Sequence, residues 1–118
     1  MVASRTRAAE ESSGGLSIPA PPPAAFGIVD AVQASFVQRR LTPHPLATNT
    51  SPLRLANQIG NGLPATYIVC TDPIYGPLEA SRNRVKATGW TAVEIRTGHD
   101  AMVSAPDRLA DLLEADAE

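Results

Sequence analysis

The chain has 118 residues, a length that suits one domain or less, and its formal net charge is −2. Acidic and basic residues are interspersed, so the charge pattern excludes a footprint for nucleic acid or for a membrane surface. The single cysteine cannot form an internal disulfide, and the sequence shows neither a secretory signal nor an apolar run that would span a bilayer. We therefore expect a cytoplasmic protein.

The first half of the chain, residues 1–62, is rich in proline and predicts short helices between irregular segments. A helix is expected over residues 3–11, because Gly14 and Gly15 follow it and oppose its continuation. The prolines within residues 19–23 favour an extended, polyproline-like stretch.

Residues 31–40 predict a second helix, for which Asp30 is the expected N-cap. Three apolar side chains are spaced to share one face of this helix: Val32, Phe36 and Val37. Prolines follow the helix and end it, because proline removes a backbone donor and restricts the preceding residue.

The second half, residues 63–118, predicts the order strand, helix, strand, helix. These elements are expected over residues 65–70, 76–88, 90–96 and 106–115, with a loop over residues 98–105. The first strand is a near-continuous apolar run, which is typical of a parallel strand covered on both faces. Two strands joined by such a helix are most naturally parallel, so this half is expected to form the edge of an open α/β sheet.

Two titratable residues come directly after the predicted strands, Asp72 after the first and His99 after the second. Because ligands bind outside the carboxyl ends of parallel strands, both side chains are expected at one rim of the sheet. A carboxylate that accepts the imidazole Nδ1 proton orients the ring, so that Nε2 can remove a proton from a hydroxyl nucleophile. The same residues also fit a simpler interpretation, in which Asp72 forms a turn and His99 caps a loop.

Other polar residues predict little further chemistry. Cys70 lies in an apolar strand and is expected to be a buried, inert side chain. His44 lies between two prolines and is expected in an exposed loop, with a substrate contact as the alternative. Two histidines and one cysteine form no recognised metal-binding pattern, and the glycine pairs lack the context of a phosphate loop, so we expect neither a metal nor a cofactor.

Two strings in the second half resemble the end of the α/β-hydrolase family. They are Tyr67-Ile-Val-Cys-Thr-Asp72 and Thr97-Gly-His-Asp-Ala-Met102, the second followed by Ser104-Ala-Pro106. The most similar branch is that of small esterases related to plant-type methylesterases and hydroxynitrile lyases. In this family the acid follows the next-to-last strand, the histidine follows the last strand, and a final helix begins near a proline. The matching positions are Asp72, His99 and Pro106.

The resemblance implies a serine hydrolase for a small ester-like substrate, with His99 as general base and acid and Asp72 as the residue that orients it. Residues 18–27 and 40–46 are similar to the cap segment that covers the active site in many such enzymes. Residues 1–62 are therefore expected to be cap-like, and residues 63–118 to be the C-terminal part of a hydrolase domain. The turn that holds Asp72 departs from the family pattern, because it has no second carboxylate.

The nucleophile motif of this fold is absent from the 118 residues. The family places its serine in Gly-x-Ser-x-Gly, upstream of the acid and the histidine, and no such motif occurs here. We therefore expect a C-terminal portion of a hydrolase that is inactive alone. The alternative is a small non-catalytic module that binds a partner. An uncovered strand edge predicts a partner chain or a dimer for either function.

Overall fold

Two small sheets and six α-helices make up residues 2–116, the part of the chain that the computed structural model describes. The elements are α1 (Val2–Ser13), β1 (Ser17–Ile18), α2 (Ala31–Gln38), β2 (His44–Pro45), α3 (Ala47–Thr50), β3 (Thr66–Cys70), α4 (Glu79–Thr88), β4 (Thr91–Ile95), α5 (Ala101–Ser104) and α6 (Pro106–Asp116), with 3-10 turns at Pro23–Phe26 and Gly76–Leu78. This confirms a mixed α/β class. No helix within residues 2–116 has the length and apolar character needed to cross a membrane.

The first helix ends where the glycine pair predicts. The N–H of Gly14 donates to the Glu10 carbonyl at 3.2 Å, and the N–H of Gly15 donates to the Ala9 carbonyl at 3.0 Å. Both glycines have positive φ, which closes the helix at little steric cost. Two features were not predicted: the antiparallel pairing of β1 with β2 and the short helix α3.

The second helix begins at its predicted cap, because the Asp30 carboxylate accepts the N–H groups of Val32 at 3.1 Å and Gln33 at 2.9 Å. Its predicted apolar face is only partly packed. Val37 is 6% exposed, whereas Val32 is 77% exposed and Phe36 is 44% exposed. The helix packs on the short 3-10 turn at Pro23–Phe26, which covers little of its surface.

The second half follows the predicted order, and β3 pairs with β4 in parallel, as expected. The helix between them starts as the 3-10 turn Gly76–Leu78 and ends at Gly89, which has a φ of 72°. The expected loop over residues 98–105 contains the short helix α5. Within residues 2–116 the parallel pair has no third strand, so a wider open sheet stays a prediction.

Helices cover the two faces of the β3–β4 ladder from opposite sides. Tyr67 and Val69 lie beside Arg82 of α4, while Ile68 lies beside Leu112 of α6. Successive side chains of a strand point to opposite faces, so α4 and α6 form the outer layers of a helix–sheet–helix arrangement. This layering explains why β3 is half-buried along its whole length instead of alternating between buried and exposed residues.

The chain is more open than a compact protein of its size. It exposes 8559 Å² of surface, against about 6,100 Å² for a folded monomer of this mass. Its radius of gyration is 16.4 Å, against about 13.5 Å for a compact domain of this length. The largest fully buried side chains are only Ile28 and Ile95. A large exposed surface and a small hydrophobic core are typical of a domain that lacks some of its packing partners.

One edge of β3 is free. At the end of the ladder, the Thr71 N–H donates a hydrogen bond to the Ile95 carbonyl of β4. Because alternate residues of a parallel strand bond to the same neighbour, the backbone groups of Tyr67 and Val69 also point to β4. Those of Ile68 and Cys70 point away from it, to a side where no other strand of residues 2–116 pairs.

Amide exchange measured by NMR tests this edge. The amides of Ile68 and Cys70 should exchange faster than those of Tyr67 and Val69, because only the latter pair is bonded to β4. One net backbone hydrogen bond is worth about 1 kcal/mol, or roughly fivefold in rate. Equal protection of all four amides in dilute solution would show that the edge is already covered and would contradict the assignment.

Candidate catalytic histidine and its surroundings

The β3–β4 register brings two loops to the same rim of the sheet. Cys70 pairs with Ile95 at the ends of the two strands. Beyond them, the N–H of Asp72 donates to the Thr97 carbonyl at 3.0 Å, so the chains run side by side for two more residues. Asp72 and His99 therefore leave the carboxyl ends of neighbouring strands, the position where parallel sheets bind ligands.

The Asp72 carboxylate is paired with Arg96, and not with His99. Its Oδ2 atom accepts a hydrogen bond from Arg96 Nε at 3.1 Å, and both side chains are largely exposed to solvent, at 58% and 82% respectively. An exposed pair of this kind stabilises a protein by about 0–1 kcal/mol. Among residues 2–116, no hydrogen bond joins the Asp72 carboxylate to the imidazole, so their pairing stays a prediction.

His99 is held through its backbone and by aromatic neighbours. Its N–H donates to the Phe26 carbonyl at 2.9 Å, and its carbonyl accepts the Cys70 thiol at 3.8 Å. The imidazole is stacked on the Tyr75 ring, with centroids 4.3 Å apart and planes 10° from parallel. The Phe26 ring lies 6.2 Å from the imidazole. The ring is half-buried in this cluster.

The segment at Phe26 and Gly27 packs directly on the histidine loop. A Cβ atom on Gly98 would lie 2.9 Å from the carbonyl oxygens of both Phe26 and Gly27. Gly27 itself has a φ of 80°, and a Cβ there would lie 3.0 Å from the Gly98 Cα. The two backbones can approach this closely only because neither position carries a side chain. The first half of the chain thus supports the loop that carries His99.

A second carboxylate lies near the imidazole. Burial raises the pKa of Asp100, and the nearby His99 partly offsets this rise by favouring the charged carboxylate. The Asp100 carbonyl accepts the Ser104 hydroxyl at 3.2 Å, and that hydroxyl also shares a hydrogen bond of 2.5 Å with the Thr97 hydroxyl. Asp100 follows His99 directly in the sequence. No ion pair joins its carboxylate to the ring within residues 2–116, and its backbone carbonyl helps to form the loop.

A groove of about 280 Å³ runs along the free side of β3. It is lined by four consecutive residues of β3 and by none of β4, which places it at the unpaired edge. Leu78 and Arg82 border the groove on one side and Leu109 on the other, while Tyr75 and His99 lie where β3 leaves the sheet. The groove therefore connects the free strand edge with the imidazole.

The remaining polar candidates lie apart from this rim. His44 is exposed in β2, and its Nε2 atom shares a hydrogen bond of 2.5 Å with the Thr48 hydroxyl. Within residues 2–116, no three histidine, cysteine, aspartate or glutamate side chains lie close enough together to hold a metal ion. The rim thus offers acid–base chemistry from an imidazole and carboxylates.

Comparison of the chain with protein-family models, with curated proteins and with solved structures found no match. The resemblance to α/β-hydrolases therefore rests on the quoted strings alone, and the family remains a proposal. The sequence pattern pointed to His99 as a candidate, a role that stays a prediction, but not to its neighbours Phe26, Tyr75 and Arg82. The Phe26-Gly27 and Gly98-His99 dipeptides were the available signal, since a glycine beside each ring permits close backbone contact.

Substitution of Gly98 tests the contact between the two halves. Gly98→Ala should lower the free energy of unfolding by about 1–3 kcal/mol, because the new methyl group overlaps two carbonyl oxygens. Gly76→Ala is the matched control, since a Cβ there meets nothing within 4 Å. Urea unfolding followed by the fluorescence of Trp90, the single tryptophan, gives both values. Equal stability of the two variants would contradict the close contact.

Alkylation of Cys70 tests its surroundings. Burial raises the pKa of the thiol, and the Asp100 carboxylate adds to this rise. Folding therefore favours the protonated thiol, and this contribution to stability falls as pH rises above the ordinary thiol pKa of about 8.5. Iodoacetamide at pH 8 should react more slowly with the native chain than with the chain in urea. Asp100→Asn should speed the native reaction, and equal native and unfolded rates would contradict the assignment.

Proposed function

We propose that these residues are the C-terminal part of an α/β-hydrolase-fold serine hydrolase that acts on a small ester-like substrate. The observation that carries the proposal is the parallel β3–β4 ladder, partly covered by helices on both faces, with His99 directly beyond its carboxyl end. In the proposal β3 and β4 are the last two strands of an open parallel sheet, and residues 1–62 are its cap-like segment. The single cysteine suits a reducing, cytoplasmic location.

The chemistry of the two strand edges supports a sheet that continues beyond β3. Strand edges that remain free in solution are commonly protected by charged side chains or proline. Strand β4 carries Glu94 and is followed by Arg96, whereas β3 consists of uncharged residues throughout. This pattern favours β4 as the outer strand, in agreement with the family order, in which the histidine follows the last strand.

His99 would act as general base toward a serine hydroxyl and then as general acid toward the leaving group. Its nucleophile must come from polypeptide outside these 118 residues, in the same chain or in a second one, because the 118 residues contain no Gly-x-Ser-x-Gly motif. The groove along β3 is where the neighbouring strand would bring that polypeptide to the imidazole.

Asp72 would orient His99 after leaving Arg96. The pair that holds it is exposed and contributes about 0–1 kcal/mol, which is small beside the energy of a buried charged hydrogen bond of about 1.5–3 kcal/mol. Closure of the site by the missing part of the domain would therefore be enough to turn the carboxylate toward the imidazole. Asp100 is the competing acid, because it already interacts electrostatically with His99.

The free edge of β3 also fits the second candidate function, a non-catalytic module that binds a partner strand. Main-chain groups along an exposed edge give affinity for an extended segment without any catalysis. The two functions differ in whether His99 is needed, because a binding module requires the edge and not the imidazole.

Extension of the chain with the polypeptide encoded immediately upstream tests the hydrolase proposal. The extended protein should hydrolyse p-nitrophenyl acetate and bind a fluorophosphonate at one serine, whereas the 118 residues alone should do neither. His99→Ala should lower kcat by at least roughly 1,000-fold, because the general base is lost.

Two carboxylate variants of the extended protein identify the acid. Asp72→Asn should lower kcat strongly, and Asp100→Asn should have little effect, if Asp72 orients His99. A strong loss of kcat in Asp100→Asn, with little effect of Asp72→Asn, would identify Asp100 as the acid. An extended protein with no fluorophosphonate-reactive serine, or turnover unchanged by His99→Ala, would reject the hydrolase and leave the binding module.

A further inference from the structure

We infer that Tyr75 is a positioning residue, whose ring fixes the plane of the His99 imidazole for proton transfer; this inference rests on the proposed function. The two rings are nearly parallel, at 10°, and their centroids are 4.3 Å apart, which is close face-to-face stacking. Tyr75 follows β3 and His99 follows β4, so the two residues are far apart in the sequence. The contact is thus a product of the fold.

The stacking contact with Tyr75 can orient the imidazole, which the Asp72 carboxylate does not do in this structure. An imidazole turns about two side-chain torsions, and the broad torsion next to the ring sets the direction of its nitrogen atoms. In a catalytic triad, a carboxylate on Nδ1 limits that rotation. Here the Asp72 carboxylate is bound to Arg96. The Tyr75 face limits the rotation instead, while both ring nitrogens keep their in-plane directions for hydrogen bonding.

Tyr75 is itself held in place by its backbone. Its carbonyl accepts the Arg82 guanidinium at 2.9 Å and the Leu78 N–H at 3.2 Å. The preceding turn is closed by a bridge between Thr71 and Ile74. A tyrosine fixed by α4 at one side of the rim therefore sets the orientation of a histidine fixed by its own N–H at the other side.

Phe26 supports this pair from the side. Its ring centroid lies 6.3 Å from Tyr75 and 6.2 Å from His99, while those two are 4.3 Å apart. These separations form a triangle, so Phe26 flanks the stacked pair and does not close a sandwich around the imidazole. No hydrogen bond within residues 2–116 involves the Tyr75 hydroxyl. The ring, and not the hydroxyl, is therefore the part that should matter.

The NMR signals of the imidazole test this inference without any turnover. The chain has two histidines, so His44→Gln leaves the ring protons of His99 as the only imidazole signals. Stacking on Tyr75 should shift these protons upfield, because they lie over the face of an aromatic ring. Tyr75→Phe should keep the shift, and Tyr75→Leu should remove it. Tyr67→Leu, which removes the other of the two tyrosine rings, should leave the shift in place, because Tyr75 is the tyrosine stacked on the imidazole.

Trp90 fluorescence shows that each variant is folded. In the extended enzyme, Tyr75→Leu should lower kcat by about 100-fold with little change in KM, and Tyr75→Phe should restore it. An imidazole shift that is absent, or that persists in folded Tyr75→Leu, would overturn the inference. An unchanged kcat in Tyr75→Leu would also overturn the inference. An extended protein that binds no fluorophosphonate would reject the hydrolase while the imidazole shift still decides whether Tyr75 orients His99.

Discussion

The parallel ladder between β3 and β4 determines where the candidate groups at the sheet rim lie. Its register aligns Cys70 with Ile95, and this alignment alone makes Asp72 and His99 leave the sheet at one rim. A shift of one residue would turn each side chain of β3 to the opposite face. The helices α4 and α6, the groove beside β3 and the Tyr75–His99 stack all depend on that register.

The same ladder explains why the chain is so open. A two-stranded parallel sheet is rarely stable by itself, because parallel strands are normally buried on both faces and paired on both sides. Here the faces are partly covered by helices, and the outer edges of both strands are unpaired among the described residues. The 8559 Å² of exposed surface is the measurable result. Association with a further strand would bury apolar side chains and also satisfy the backbone groups of Ile68 and Cys70.

The local elements could be predicted from the sequence because their signals are local. The Asp30 cap, the glycine that ends α4 and the apolar run of β3 each act within a few residues, and each was found in the structure. Contacts between distant residues gave no such signal. The Tyr75–His99 stack and the Asp72–Arg96 pair depend on how loops from two strands meet. The apolar side of α2 was overestimated, because periodicity identifies a face but not its neighbour.

The contact between Gly27 and Gly98 has a consequence for access to the rim. The first half of the chain is joined to the histidine loop by the hydrogen bond between Phe26 and His99 and by close backbone packing. In the proposed hydrolase, a cap-like segment joined to the loop in this way could not open without moving the imidazole. A substrate would therefore have to reach His99 along the open side of β3, and the strand that completes the sheet would also form the wall of that entrance.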